Sequence, residues 1–204
     1  HGNPETITRF PTQESITQFE SYAPNPQELA SVNVDENYII ASQMPGFDND
    51  PSFKDDSLRS EFLRANNLKQ MRPYQVDAIK AIQQSGLQGN SRFLFEMATG
   101  TGKTLTSAAV IKLFLKSGNA RRVLFLVDRI ELEDQSYKAF RQYLGRDYTC
   151  VIYKDSRDSW QRAQIVVSTI QTFMANDRYK KEFSPTDFEF VISDEAHRSI
   201  GGNS

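Results

Sequence analysis

Along the first 57 residues, apolar and polar positions follow no period. Prolines and Asn/Asp clusters interrupt every run, as in "NPET", "FPTQES", "YAPNPQE" and "MPGFDNDPSF", and these residues favour turns over long elements. Aromatics scattered through the same region (Phe10, Phe19, Tyr22, Tyr38 and Phe47) imply that it lies against something. Residues 1–57 are read as a linker or wrapping arm, an irregular N-terminal extension.

From residue 58 the pattern changes. "SLRSEFLRAN" and "PYQVDAIKAIQQSG" have helical character. The second opens with Pro73 at a permitted first-turn position, carries apolar Val76, Ile79, Ala81 and Ile82, and stops at Gly86. Beyond it, the apolar runs "RFLFEM", "VLFLVD", "CVIY", "QIVVST" and "FEFVISD" alternate with helix-length segments, among them "KTLTSAAVIKLFLKSG" and "RIELEDQSYKAFRQYLG". Continuous apolar runs indicate strands buried on both faces, as in a mostly parallel sheet covered by helices. The expected fold class is α/β. Open sheets of this kind collect ligands beyond the C-terminal ends of their strands. The polar stretches "ATGTGKT", "DRIE", "STIQT" and "DEAHRS" fall at those ends.

Length and composition narrow the setting. The 204 residues leave room for one sizeable domain plus an extension. A net charge of −2 argues neither for nor against nucleic acid, since a groove can be locally positive on a near-neutral protein. No apolar stretch approaches the roughly 20 residues that span a bilayer. The N-terminus "HGNPETITRF" lacks a signal pattern. These features predict a cytoplasmic protein with no membrane partner. The missing initiator methionine is read as a processed start or an internal cut. The single cysteine, Cys150, excludes an intramolecular disulfide and reads as a small apolar residue of a buried strand.

The stretch "FLFEMATGTGKTLTSAAV" (93–110) runs from an apolar segment through a glycine-threonine turn to a lysine and a helix. It is either a tight turn or a cradle for nucleotide phosphates. In a P-loop, backbone N–H groups and a helix N-terminus converge on phosphate oxygens. Gly100 and Gly102 let the backbone curl close to the ligand, with Thr99 and Thr101 completing the loop. Lys103 would reach the β- and γ-phosphates, and the Thr104 hydroxyl would ligate Mg²⁺. The general pattern opens with glycine where this chain has Met97. Hydrolysis needs a second strand end, and "FEFVISDEAH" supplies one. Asp194 would hold Mg²⁺, and Glu195 would accept a proton from the attacking water. Read alone, an Asp-Glu pair after a strand is a solvated turn.

Together these residues resemble superfamily 2 helicases and translocases of the DEAH-type group. "MATGTGKT" (97–104) resembles motif I, including its non-glycine first position, and "DEAH" (194–197) matches motif II. "MRPYQVDAI" resembles the adenine-reading glutamine motif. "FLVDRIELEDQ" is similar to motif Ia, and "VVSTIQTF" to motif Ib or its neighbour. The resemblance covers residues 70 to 200 and implies a RecA-like P-loop NTPase that uses ATP and Mg²⁺. By it, Gln75 would hydrogen-bond adenine with Arg72 and Tyr74 nearby. Arg129, Ser168, Thr169 and Gln171 would touch a nucleic-acid backbone, and His197 would couple the nucleotide site to the strand-gripping surface. For Arg129 the alternative is pairing with Asp128 or Glu133; for His197, satisfying a local backbone group. The charge run "RYKKE" (178–182) reads as a solvated helix end rather than a binding patch.

Within that superfamily the wording is most similar to the motor (R) subunit of type I restriction enzymes. That resemblance implies a translocase on double-stranded DNA, working with methyltransferase and specificity subunits and a second motor lobe. Residues 58–204 would be the first RecA-like motor domain, incomplete and ending just after motif II. The family's nuclease domain carries a D/E-x-K pair, and no lysine here has Asp or Glu two residues before it. The 204 residues alone are expected to be weak or inactive as an ATPase. Alternatives are a DNA repair or RNA helicase of the same superfamily, or a nucleotide-binding switch module without processive activity.

Overall fold

The structure is a computed structural model and describes residues 13, 16–17, 22–42, 44, 46–98, 100–157 and 159–194. Its helices are α1 (Pro26–Ser31), α2 (Pro51–Lys54), α3 (Asp56–Ala65), α4 (Pro73–Leu87), α5 (Lys103–Lys116), α6 (Ile130–Leu144), α7 (Ile170–Met174) and α8 (Arg178–Lys181). Its strands are β1 (Val123–Val127), β2 (Cys150–Ile152), β3 (Ile165–Thr169) and β4 (Phe190–Ser193). They form one sheet in the order β2-β3-β1-β4. Every neighbouring pair is parallel, with Val123 opposite both Ile165 and Phe190, and Cys150 opposite Ile165.

This is the α/β class that the uninterrupted apolar runs predict. Successive side chains of a strand point to opposite faces. On β1, Val123, Phe125 and Val127 join one core with α4, α5 and α6, while Leu124 packs on the other side with Tyr153, Trp160, Val166 and Phe183. Helix α5 is apolar on nearly every side because it lies inside the first core: Ala108, Ala109, Ile111 and Leu113 have no exposed surface. Cys150 is partly buried there, and desolvation pushes its thiol up to about 12, so it stays protonated and inert at neutral pH.

One expected strand does not form. Residues 92–97 ("RFLFEM") adopt no regular structure, and Leu94 is 87% exposed. A strand of this composition needs cover on both faces. Leu94 lacks that cover, and Val191 of β4, at the edge of the sheet, is likewise 52% exposed. Within the run, Phe93 turns inward and meets Phe114 edge-on, with ring centroids 6.2 Å apart.

The described part of the N-terminal extension wraps α4 and α5. Leu29, Val34, Tyr38 and Ile39 are buried in the main core. The Gln83 amide donates to the carbonyls of Leu29 and Val32, both at 2.8 Å. Lys112 Nζ donates to the Tyr38 carbonyl at 2.8 Å and sits 4.7 Å from the centre of its ring. Burial lowers the Lys112 pKa from the ordinary lysine value, and this aromatic and carbonyl cage is what compensates the buried cation. Asn119 and Asn25 close the far end with reciprocal hydrogen bonds of 2.7 and 2.9 Å.

Candidate functional site

The turn before α5 is shaped by two left-handed glycines, Gly100 (φ +79°) and Gly102 (φ +84°). Gly102 is the N-cap residue and makes no side-chain cap. The first intrahelical bond runs from Thr106 N–H to the Gly102 carbonyl, at 3.0 Å. The N–H groups of Lys103, Thr104 and Leu105 therefore precede the helical ladder and point out of the helix end. Such an end carries roughly half a positive charge, to which Lys103 adds a full one. A methyl group added at Gly100 would meet no atom within 4 Å, whereas at Gly102 it would come within 2.7 Å of Gln75 Nε2. The loop is open on the side where a ligand would approach and tightly backed on the other.

Gln75 provides the backing. It is 1% exposed, at the third position of α4. Its Oε1 accepts from Arg72 N–H (2.9 Å), and its Nε2 donates to the Gly102 carbonyl (3.2 Å) and Thr106 Oγ1 (3.1 Å), with the Thr101 carbonyl at 3.4 Å. Both ends of the amide thus make hydrogen bonds within the protein. Tyr74 stays 42% exposed and donates from its hydroxyl to the Thr101 carbonyl at 2.6 Å; Arg72 reaches that hydroxyl at 3.3 Å.

The acidic strand end follows β4, at the edge of the sheet. Helix α5 finishes near the start of β4, where Phe114 stacks on Phe190 (centroids 3.9 Å apart, planes 7° apart), and the chain then enters β1 at Val123. A 14-residue helix rises about 20 Å, enough to run the length of a short strand. Lys103 and Thr104 are the first residues of this helix, and Asp194 directly follows β4. Asp194 N–H donates to the Leu126 carbonyl at 2.8 Å, tying that end to β1. Thr99, Glu195 and His197 lie outside the described residues.

With this geometry in hand, the relatives can be set beside it. A family model described as "Type III restriction enzyme, res subunit" matches residues 68–204. The chain belongs to this family. It is 33% identical over 134 residues to the type I restriction enzyme EcoKI endonuclease subunit of Escherichia coli K12, covering 63% of this chain and 12% of that protein. It is also 33% identical over 152 residues to the type I restriction enzyme SsaAORF53P endonuclease subunit of Staphylococcus saprophyticus, covering 68% of this chain and 16% of that one. The chain thus spans less than a fifth of the length of these relatives. Among solved structures, the Sulfolobus solfataricus SWI2/SNF2 ATPase core in complex with dsDNA shares the fold. It has a TM-score of 0.53 and 17% identity, over 66% of this chain and 28% of that one. The res-subunit chain is a helicase-family domain with a RecA-like α/β fold.

The residues expected to meet nucleic acid separate into two kinds. Arg129 is exposed, with its side chain 63% accessible, and its Nε lies 3.7 Å from Asp128 Oδ2. Gln171 is exposed and donates to Asp128 Oδ1 at 3.4 Å. Ser168 and Thr169, in contrast, are 0% and 1% exposed. The Ser168 hydroxyl bonds the Thr169 carbonyl (3.2 Å), and Thr169 Oγ1 caps α7 by accepting from Thr172 N–H (3.0 Å). Expected as strand-end donors, they are instead buried. Lys181 and Arg178 use local partners, the Asn176 carbonyl and Glu182, as a solvated helix end does.

Two residues of the chain carry structural weight beyond the roles that the motif resemblances imply. One is Gln75 in its loop-backing position. The other is Glu133, fully buried near the start of α6, whose carboxylate holds Thr169 N–H (3.0 Å) and Lys154 Nζ (2.6 Å). That carboxylate raises the pKa of Lys154. A signal was present: Glu133 falls on the same helical stripe as Ser136, Phe140 and Leu144, an acid on the buried face.

Proposed function

We propose that the chain is the nucleotide-binding lobe of an ATP-driven motor that moves along duplex DNA, of the kind found in type I restriction endonuclease subunits. The observation that carries this reading is the glycine turn leading into a helix that opens with Lys103; Asp194, which directly follows β4, is proposed as its acidic partner. The donors fit a triphosphate: a helix end with N–H groups ahead of its ladder, a lysine, and an open approach at Gly100. Mg²⁺ would be held by Thr104 and Asp194 and would neutralise phosphate charge. Lys103 binds and orients the phosphates. Glu195, one residue past an anchored strand end, takes the proton of the attacking water. Arg129 and Gln171 are the surface groups proposed to grip the DNA backbone. His197 is proposed to couple the two sites. Methyltransferase and specificity subunits, a second lobe and a cytoplasmic setting belong to the same proposal; the relatives' names, endonuclease subunits of type I restriction enzymes, support only that the parent acts as one subunit of an enzyme.

The test is nucleic-acid-stimulated ATP turnover by the full-length protein, compared for duplex DNA, single-stranded DNA and RNA. Duplex DNA is expected to stimulate most. Stimulation by RNA alone would overturn the restriction-motor reading and favour an RNA helicase.

The loop itself yields a graded prediction. Gly102→Ala forces a side chain into the left-handed region and against Gln75, so ATP affinity should fall about tenfold or more, given a cost of roughly 1–2 kcal/mol for the backbone alone. Isothermal titration measures this, with circular dichroism confirming the fold. Unchanged affinity would contradict a phosphate-binding role for the turn.

A further inference from the structure

The carboxylate of Glu133 has no exposed surface. An acid in that position loses its hydration, and an apolar side chain on the same stripe commonly serves stability as well or better. What an acid supplies there is two directional anchors. Oε1 accepts from Thr169 N–H, at the C-terminal end of β3, at 3.0 Å. Oε2 faces the Lys154 ammonium, just after β2, at 2.6 Å and takes no hydrogen bond from any other described residue. Glu133 itself sits one helical turn beyond Arg129, and its own N–H donates to the Arg129 carbonyl at 3.1 Å. The buried carboxylate thus ties the ends of two adjacent strands, β2 and β3, to the first turn of α6, the helix that follows β1 and Arg129.

Two exposed side chains hang from the elements so tied. Arg129 leaves the turn that Glu133 closes. Gln171 lies in the first turn of α7, which Thr169 caps while its N–H is held by Glu133. Both reach the same intervening carboxylate, Asp128. The spacing between Arg129 and Gln171 is therefore set by Glu133 from below.

We propose that Glu133 is a positioning residue that fixes Arg129 and Gln171 in register for consecutive contacts on a nucleic-acid backbone. This rests on the motor reading above. Misplacing a contact group by about an ångström weakens its interaction far more than it weakens the fold.

The test uses the full-length protein, its ATP turnover and a blunt duplex oligonucleotide as probe. Glu133→Ala is expected to raise the DNA concentration for half-maximal stimulation about tenfold, with the plateau rate kept within about twofold. Glu133→Gln, which keeps one anchor and loses the other, should raise it about threefold. Leu144→Ala, a buried truncation on the same helix, should lower thermal stability and leave half-saturation unchanged. Should Glu133→Ala not fold, Glu133→Gln decides. A wild-type half-saturation in Glu133→Gln overturns the proposal, as does a shift of equal size in Leu144→Ala. Absence of stimulation in the unaltered protein removes the motor reading instead, and this inference falls with it.

Discussion

Lys103→Ala is expected to reduce ATP turnover of the full-length protein at least about a hundredfold, the usual loss when a positioned charge is removed from a phosphoryl-transfer site. The reason is local. Lys103 is the first residue of α5, fixed behind a turn whose carbonyls are held by Gln75 and Tyr74. Its backbone is thereby held in place before any ligand arrives, and alanine removes the lysine charge from the helix N-terminus. Nucleotide affinity should fall with the rate, because the same charge acts on bound ATP and on the transition state. The comparison is steady-state turnover alongside equilibrium binding of ATP. Retained tight binding in Lys103→Ala would count against the cradle.

Glu195→Gln should behave differently. It keeps the side-chain shape and removes basicity, so turnover is expected to fall roughly 10²- to 10⁴-fold while ATP affinity stays near the wild-type value. The preceding residue, Asp194, is anchored by its backbone bond to Leu126, which holds the start of this segment at the end of the sheet. Pre-steady-state turnover and nucleotide titration separate the two quantities. Unchanged turnover would remove Glu195 from the role of general base, and loss of binding would make it a ligand-holding group instead. Together the two variants distinguish binding from chemistry at adjacent strand ends.

How far the sequence disclosed this arrangement depends on what kind of force sets each part. The sheet was legible because "VLFLV" and "IVVST" are apolar without alternation, and only burial on both faces explains such a run. The run "RFLFEM" has the same pattern and stays irregular, since pattern records what a segment can bury and not whether cover exists beside it. The phosphate turn was legible through Gly100 and Gly102, whose positive φ values few other residues tolerate. Gln75 was read only through the adenine-binding resemblance; its hydrogen bonds to loop carbonyls were not legible, because those groups lie far along the chain from it. The burial of Ser168 and Thr169 was not legible either, for a local reason. A hydroxyl at a strand end can serve solvent, a ligand or the next helix cap, and the cap was nearest. Glu133 was passed over as an ordinary helix-surface acid, although its spacing put it on the buried stripe.

The most direct test of the account is a crystal structure of the full-length protein with Mg²⁺ and a non-hydrolysable ATP analogue. The account predicts the triphosphate against residues 100–104, Lys103 on its terminal phosphates, and the metal between Thr104 and Asp194. A nucleotide bound elsewhere, or Lys103 and Asp194 facing separate cavities, would contradict it.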